Sequence, residues 1–118
     1  MNIEELREYC IAKPFVTEEF PFDQDTLVFK VMNKMFALTS LSENKSVNLK
    51  CNPELAIELR EKYNGVLPGY HMSKIHWNTV MFEGNYSTKK LKEWIDHSYE
   101  QVVLSMPKKN QKIIFGEK

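Results

Sequence analysis

Residues 26–51 read TLVFKVMNKMFALTSLSENKSVNLKC, and the pattern of this stretch decides the fold. Two runs dense in apolar and β-branched side chains, 26–32 and 35–41, flank Asn33-Lys34, which predicts a β-hairpin closed by a two-residue turn. A polar turn occupies 42–45. Residues 46–51 then alternate, with Val47, Leu49 and Cys51 on one face and Asn48 and Lys50 on the other, the period of a strand buried on one side. Cys51, on the inward face, reads as a small core residue, because nothing near it in sequence lowers a thiol pKa.

On either side of these strands the spacing changes to that of helices. Residues 3–12 predict a helix capped by Asn2, with Glu4 and Glu5 in its first turn and Ile3, Leu6 and Cys10 as its apolar stripe. Pro14 stops it. Residues 15–24 carry Phe15, Phe20 and Phe22 around Pro21 and predict a loop pinned to the core by aromatic rings, with an extended edge segment as the alternative. Beyond Cys51, Asn52 is an N-cap, Pro53 takes the first helical position, and Leu55, Ala56, Leu59 and Tyr63 form the inward stripe. Asn64-Gly65 ends this helix, with Gly65 expected in the left-handed conformation. A tight turn over 66–70 leads into a polar and aromatic run, 71–82, read as a strand. Ser87 caps a last helix, 88–105, whose Leu91, Trp94, Ile95, Ser98, Tyr99, Val102 and Val103 recur at three and four residues. The expectation is an α+β fold. Residues 1–107 form a single domain, an antiparallel sheet with helices packed on one face, followed by a basic tail over 108–118. Within that tail Ile113-Ile114-Phe115 offers a short docking strand.

A chain of 118 residues has the length of one domain, and 42% apolar with 27% charged residues argues against disorder. No run approaches the ~20 apolar residues of a membrane span. The acidic start lacks the basic region of a signal peptide. Two unclustered cysteines read as reduced thiols, so a cytoplasmic location is expected. Sixteen basic residues balance sixteen acidic ones, which argues against strong polyanion binding. The balance is uneven along the chain: residues 1–25 hold two basic and seven acidic side chains, a sum of −5, so the remaining 93 carry +5.

Motifs for catalysis are lacking. His71 and His76 stand five apart, neither a helical nor a strand pair for zinc. No phosphate loop surrounds Gly65 or Gly69, and no Gly-x-Ser-x-Gly elbow occurs. A pairing of Cys10 or Cys51 with His71, His76 or His97 stays open. The sequence therefore assigns no catalytic residue, metal or cofactor, and a non-enzymatic chain is expected. What stands out is 68–80, PGYHMSKIHWNTV, which crowds rings and hydrogen-bonding groups around one cation and no acid. On a strand, Lys74, His76 and Asn78 would share one face and Ile75 and Trp77 the other. Such a polar face suits phosphates and base edges. The alternative places Trp77 in the core, with His76 and Asn78 serving turn backbone.

This run, with NPELAIELREKYNGV before it and LKEWIDHSYEQVV after it, resembles the MmcQ/YjbR family. Lys34-Met35-Phe36-Ala37 and the α–βββ–α–β–α order match as well, and the resemblance covers about residues 3–106. It implies a CyaY-like fold and a small cytoplasmic DNA-binding domain, whose hairpins flank a helix in a double-winged arrangement and whose partner is double-stranded DNA. It brings no catalytic residues and no cofactor. The residues matching its signature, and hence the DNA-binding candidates, are Lys34, His71, Lys74, His76, Trp77 and Asn78. A monomer is expected. The competing reading, from the aromatic surplus at Tyr70 and Trp77, is a protein- or small-ligand-binding adaptor. A basic stripe would favour the first, and an apolar cleft around Trp77 the second.

Overall fold

The computed structural model describes residues 1–116. Its elements are α1 (Ile3–Ile11), β1 (Val16–Glu19), β2 (Thr26–Val31), β3 (Lys34–Ser40), β4 (Ser46–Lys50), α2 (Pro53–Lys62), β5 (Val66–Pro68), β6 (Trp77–Met81), α3 (Thr88–Leu104) and α4 (Lys108–Phe115). The six strands form one sheet in the order β1-β2-β3-β4-β6-β5, antiparallel throughout. The α+β expectation holds.

Side-chain alternation splits the sheet into two faces. Leu27, Phe29, Val31, Val47, Leu49 and Val80 point toward the helices and join Leu6, Leu91, Ile95, Val102 and Val103 in the main core. Val28, Leu38 and Trp77 point the other way and form a small cluster with Met35 and Met72 on a face that no helix covers. A bulge in β3 inserts Phe36 between Met35, opposite Lys30, and Ala37, opposite Phe29, so Phe36 and Ala37 both reach the main core. The seam between β3 and β4 is short, with two residue pairs, and hydroxyl groups extend it at both ends. Thr39 Oγ1 donates to the Ser46 carbonyl at 2.8 Å. Ser98 of α3 accepts from the Lys50 amide at 2.8 Å and donates to the Phe36 carbonyl at 2.5 Å.

The caps lie where the sequence puts them: Asn2, Asn52 and Ser87 accept from backbone amides of the first turns of α1, α2 and α3. Five expectations need correction. The hairpin turn is Met32-Asn33, one residue earlier than Asn33-Lys34. Both central residues have positive φ (45° and 71°), which matches the twist of the flanking strands, and Val31 pairs with Lys34. Residues 16–19 form an edge strand, as the alternative reading had it, and Phe15, Phe20 and Phe22 are exposed rather than pinned to the core. Backbone pairing to β2 and the Arg7–Glu18 ion pair hold that segment, not rings in the core. Residues 66–68 are strand β5, paired with β6, where a tight turn was expected. Gly65 is not left-handed; a Cβ there would lie 2.3 Å from the Tyr86 hydroxyl, so close approach explains the glycine. Residues 108–115 form a helix rather than a strand, and it buries Ile114 in the main core. Glu117 and Lys118 of the expected tail lie outside the described residues.

Candidate functional site

The strand expected over 71–82 begins only at Trp77, and this changes where its side chains go. Residues 69–76 form a loop at the end of the sheet shared with the Met32-Asn33 turn. Lys74 and His76 sit on that loop, exposed, and do not share a strand face with Asn78. Trp77 and Asn78 are buried on opposite faces of β6. Trp77 packs with Val28 and Leu38 on the open face. Asn78 points toward α2, where it accepts from Arg60 Nε at 2.7 Å and donates to the Ala56 carbonyl at 3.3 Å. Arg60 also donates to the Lys74 carbonyl, so the Asn78–Arg60 pair ties the loop to α2. The Lys74 ammonium itself donates to the Gly69 carbonyl at 3.1 Å.

Four of the six candidates, Lys34, His71, Lys74 and His76, do come to one end of the sheet, joined by Lys50 opposite Trp77. Segments 31–34, 50–53 and 69–77, which make up this end, contain no Asp or Glu. The opposite end, formed by 20–25, 41–45 and 82–86, carries Asp23, Asp25, Glu43 and Glu83 against Lys45. The zero net charge therefore resolves into a sheet with oppositely charged ends.

Between those ends, on the helix-free face, lies a trough of about 850 Å³. Leu38, Met72 and Met81 give it an apolar lining, and Leu67, Tyr70 and Phe22, all exposed, stand on its sides. One mouth holds Asp25, Ser40, Glu43 and Lys45; the other holds Tyr70 and His71, whose ring centroids are 4.0 Å apart. A closed hydrogen-bond circuit fixes the latter mouth. Thr79 Oγ1 accepts from the Tyr70 amide at 2.9 Å and donates to Asn48 Oδ1 at 2.6 Å, while Asn48 Nδ2 donates to the Tyr70 carbonyl at 3.2 Å. This circuit and the Gly69 carbonyl, which accepts from the Met72 amide, hold His71 in the left-handed region at φ 59°. At the acidic mouth, the Ser40 hydroxyl and the Ser42 amide hold the Asp25 carboxyl below the usual carboxylate range, so it is ionised at neutral pH. Of the trough residues, the sequence had singled out only Tyr70 and His71. The polar side of β4, Asn48 and Lys50, was the signal that a second face existed.

Cys10, Cys51 and His97 lie outside the trough. Burial pushes the Cys10 thiol to about 12 and Cys51 to about 11, so neither is a thiolate near neutral pH. His97 Nε2 accepts from the Asn52 amide at 3.2 Å and helps to fasten α2 to α3. Among the described residues no three His, Cys, Asp or Glu side chains converge as metal ligands, and no helix is long and apolar enough to cross a membrane.

Residues 11–101 match the family model named YjbR. The chain belongs to the YjbR family. It is 36% identical over 115 residues to the uncharacterized protein YjbR of Escherichia coli K12, covering 97% of this chain and 98% of that one. It is 34% identical over 110 residues to YbdF of Escherichia coli O157:H7, covering 92% and 90%. The crystal structure of the Deinococcus radiodurans protein DR2400, with a DUF419 domain, superposes with a TM-score of 0.86 at 36% identity, covering 98% of this chain and 88% of that one. A Pseudomonas syringae crystal structure gives 0.73 at 28% identity, covering 86% and 98%. The part matched to the YjbR model takes in the whole sheet, the trough and the 69–76 loop, and leaves α4 outside.

Proposed function

We propose that this YjbR-family chain is a non-catalytic binding domain that takes a small ligand in the open-face trough. One observation carries the reading: a concave site of small-ligand size, with an apolar floor and exposed rings on its walls, held in shape by a satisfied polar circuit. Its volume falls within the range of ligand pockets, and Trp77 lies beneath the same face. Titrating the ¹⁵N-labelled protein with small aromatic fragments tests this. Saturable shifts common to Leu38, Asn48, Tyr70, Met72 and Met81 are expected, and an absence of saturable shifts at millimolar fragment overturns it.

Double-stranded DNA is the second reading, favoured by the acid-free end where Lys34, Lys50 and Lys74 gather with His71 and His76. Three lysines limit its strength: with every one on a phosphate, log affinity would fall by about 2.7 per decade of salt. A fluorescence titration with a short random duplex at low salt decides it. Binding at micromolar protein, with a salt slope that drops by about one in Lys74→Ala, would support it. No binding under those conditions would end it.

A further inference from the structure

We infer that the trough selects a small amphipathic cation, a molecule with a compact apolar or aromatic body and one ammonium or guanidinium group; this rests on the ligand-binding reading above. The trough is chemically polarised along its length. Its middle presents Leu38, Met72 and Met81, with no charged side chain among them. Of the lining residues, Asp25, Glu43 and Lys45 gather at one mouth, an excess of one negative charge. Asp25 is fixed in place: three donors from Ser40 and Ser42 orient its carboxylate and keep it ionised. Among the described residues the Glu43 carboxylate has no hydrogen-bond or ion-pair partner, so it can turn toward a ligand. At the opposite mouth the lining residues are the rings of Tyr70 and His71, and the sheet end beyond them is basic, with Lys34, Lys50 and Lys74. The middle polar groups, Thr79 and Asn48, already satisfy one another and the Tyr70 backbone. They give a ligand's body little reason to be polar.

Shape limits the occupant to something small. The space is that of one drug-sized molecule. The body lies on the methionines and Leu38, beside the Leu67 and Tyr70 wall, and the cation reaches the Asp25 and Glu43 mouth.

Three probes of matched shape separate this inference from the reading beneath it: tryptamine, the neutral tryptophol and the anionic indole-3-propionate, each titrated at pH 7 into the ¹⁵N-labelled full chain. Tryptamine is expected to bind roughly fivefold tighter than tryptophol, the worth of one good exposed ion pair, and indole-3-propionate weakest. Shifts should include the amides of Ser42 and Glu43 for the amine alone. Glu43→Gln, which removes no internal hydrogen bond, should weaken tryptamine roughly two- to fivefold and leave tryptophol unchanged. Lys45→Gln should strengthen tryptamine. If all three probes bind the trough equally, or the carboxylate binds best, cation selectivity is wrong and the ligand-binding reading survives. If none binds, both fall.

Discussion

Replacing Ser98 by Ala tests how the sheet is held at its thinnest seam. Ser98 is fully buried on α3, and its hydroxyl bridges the Lys50 amide of β4 and the Phe36 carbonyl of β3, beyond the point where the two strands pair directly. The substitution removes one oxygen, so packing changes little, and alanine's higher helix propensity offsets only about 0.5 kcal/mol of any loss. What it removes is the partner of one buried donor and one buried acceptor. Leaving such groups unpaired costs about 1–3 kcal/mol each, so a loss of about 3 kcal/mol is expected, near 10 °C in Tm for a domain of this size. Urea denaturation followed by far-UV circular dichroism would measure it, with an unchanged m-value showing that the native state kept its compactness. Hydrogen exchange adds a local readout: the Lys50 amide should lose protection more than its neighbours. A loss under about 1 kcal/mol would refute the reasoning, because it would mean β3 and β4 close up and bond directly without the hydroxyl.

Asn78→Ala should cost about 2 kcal/mol by releasing Arg60, yet leave tryptamine affinity unchanged, since Asn78 faces α2 and not the trough; a selective loss of affinity would return Asn78 to the binding site. Burial lowers the His97 pKa, and nearby Glu100 opposes this only in part. The unfolded chain therefore binds a proton more readily than the folded one, so stability is full above the ordinary imidazole value and falls as pH drops below about 6.5. The lowered carboxyls Glu18, Asp23 and Asp25 act only further into acid. Urea midpoints at pH 7.5 and 5.5 should thus differ less in His97→Ala than in the parent, and an equal difference would refute the assignment. Gly69→Ala would bring a Cβ to 2.7 Å from the Trp77 Cβ and 2.8 Å from its carbonyl oxygen, contacts that backbone cannot relieve cheaply. A loss of about 2 kcal/mol in thermal or urea unfolding is expected, and wild-type stability would show that β5 can move aside.

The elements with strong local signals were legible in the chain. Asn52-Pro53 and Ser87 marked helix starts because a cap is a contact between near neighbours, and α3 declared itself because its buried face repeats over 17 residues. β4 showed its alternation for the same reason. Where the chain was misread, distant residues decided. Short β1 and β5 carry little pattern of their own and are strands because β2 and β6 offer them partners. The 71–76 segment has the polar and aromatic content of a strand, yet its backbone is turned by His71 and tethered by Arg60.

The candidate site shows the same division. The sequence by itself determined the family, the α+β order and the unusual concentration of rings and cations around 68–80, because these depend on residue identity and spacing. Only the tertiary structure decided that Trp77 and Asn78 turn inward to opposite faces while Lys34 and Lys50 join Lys74 at one end. It alone placed Asp25, Leu38, Met72 and Met81, which lie far apart in the chain, around one trough. The reason is physical: antiparallel pairing brings distant residues side by side, and a slip of one residue would reverse the face on which each side chain stands.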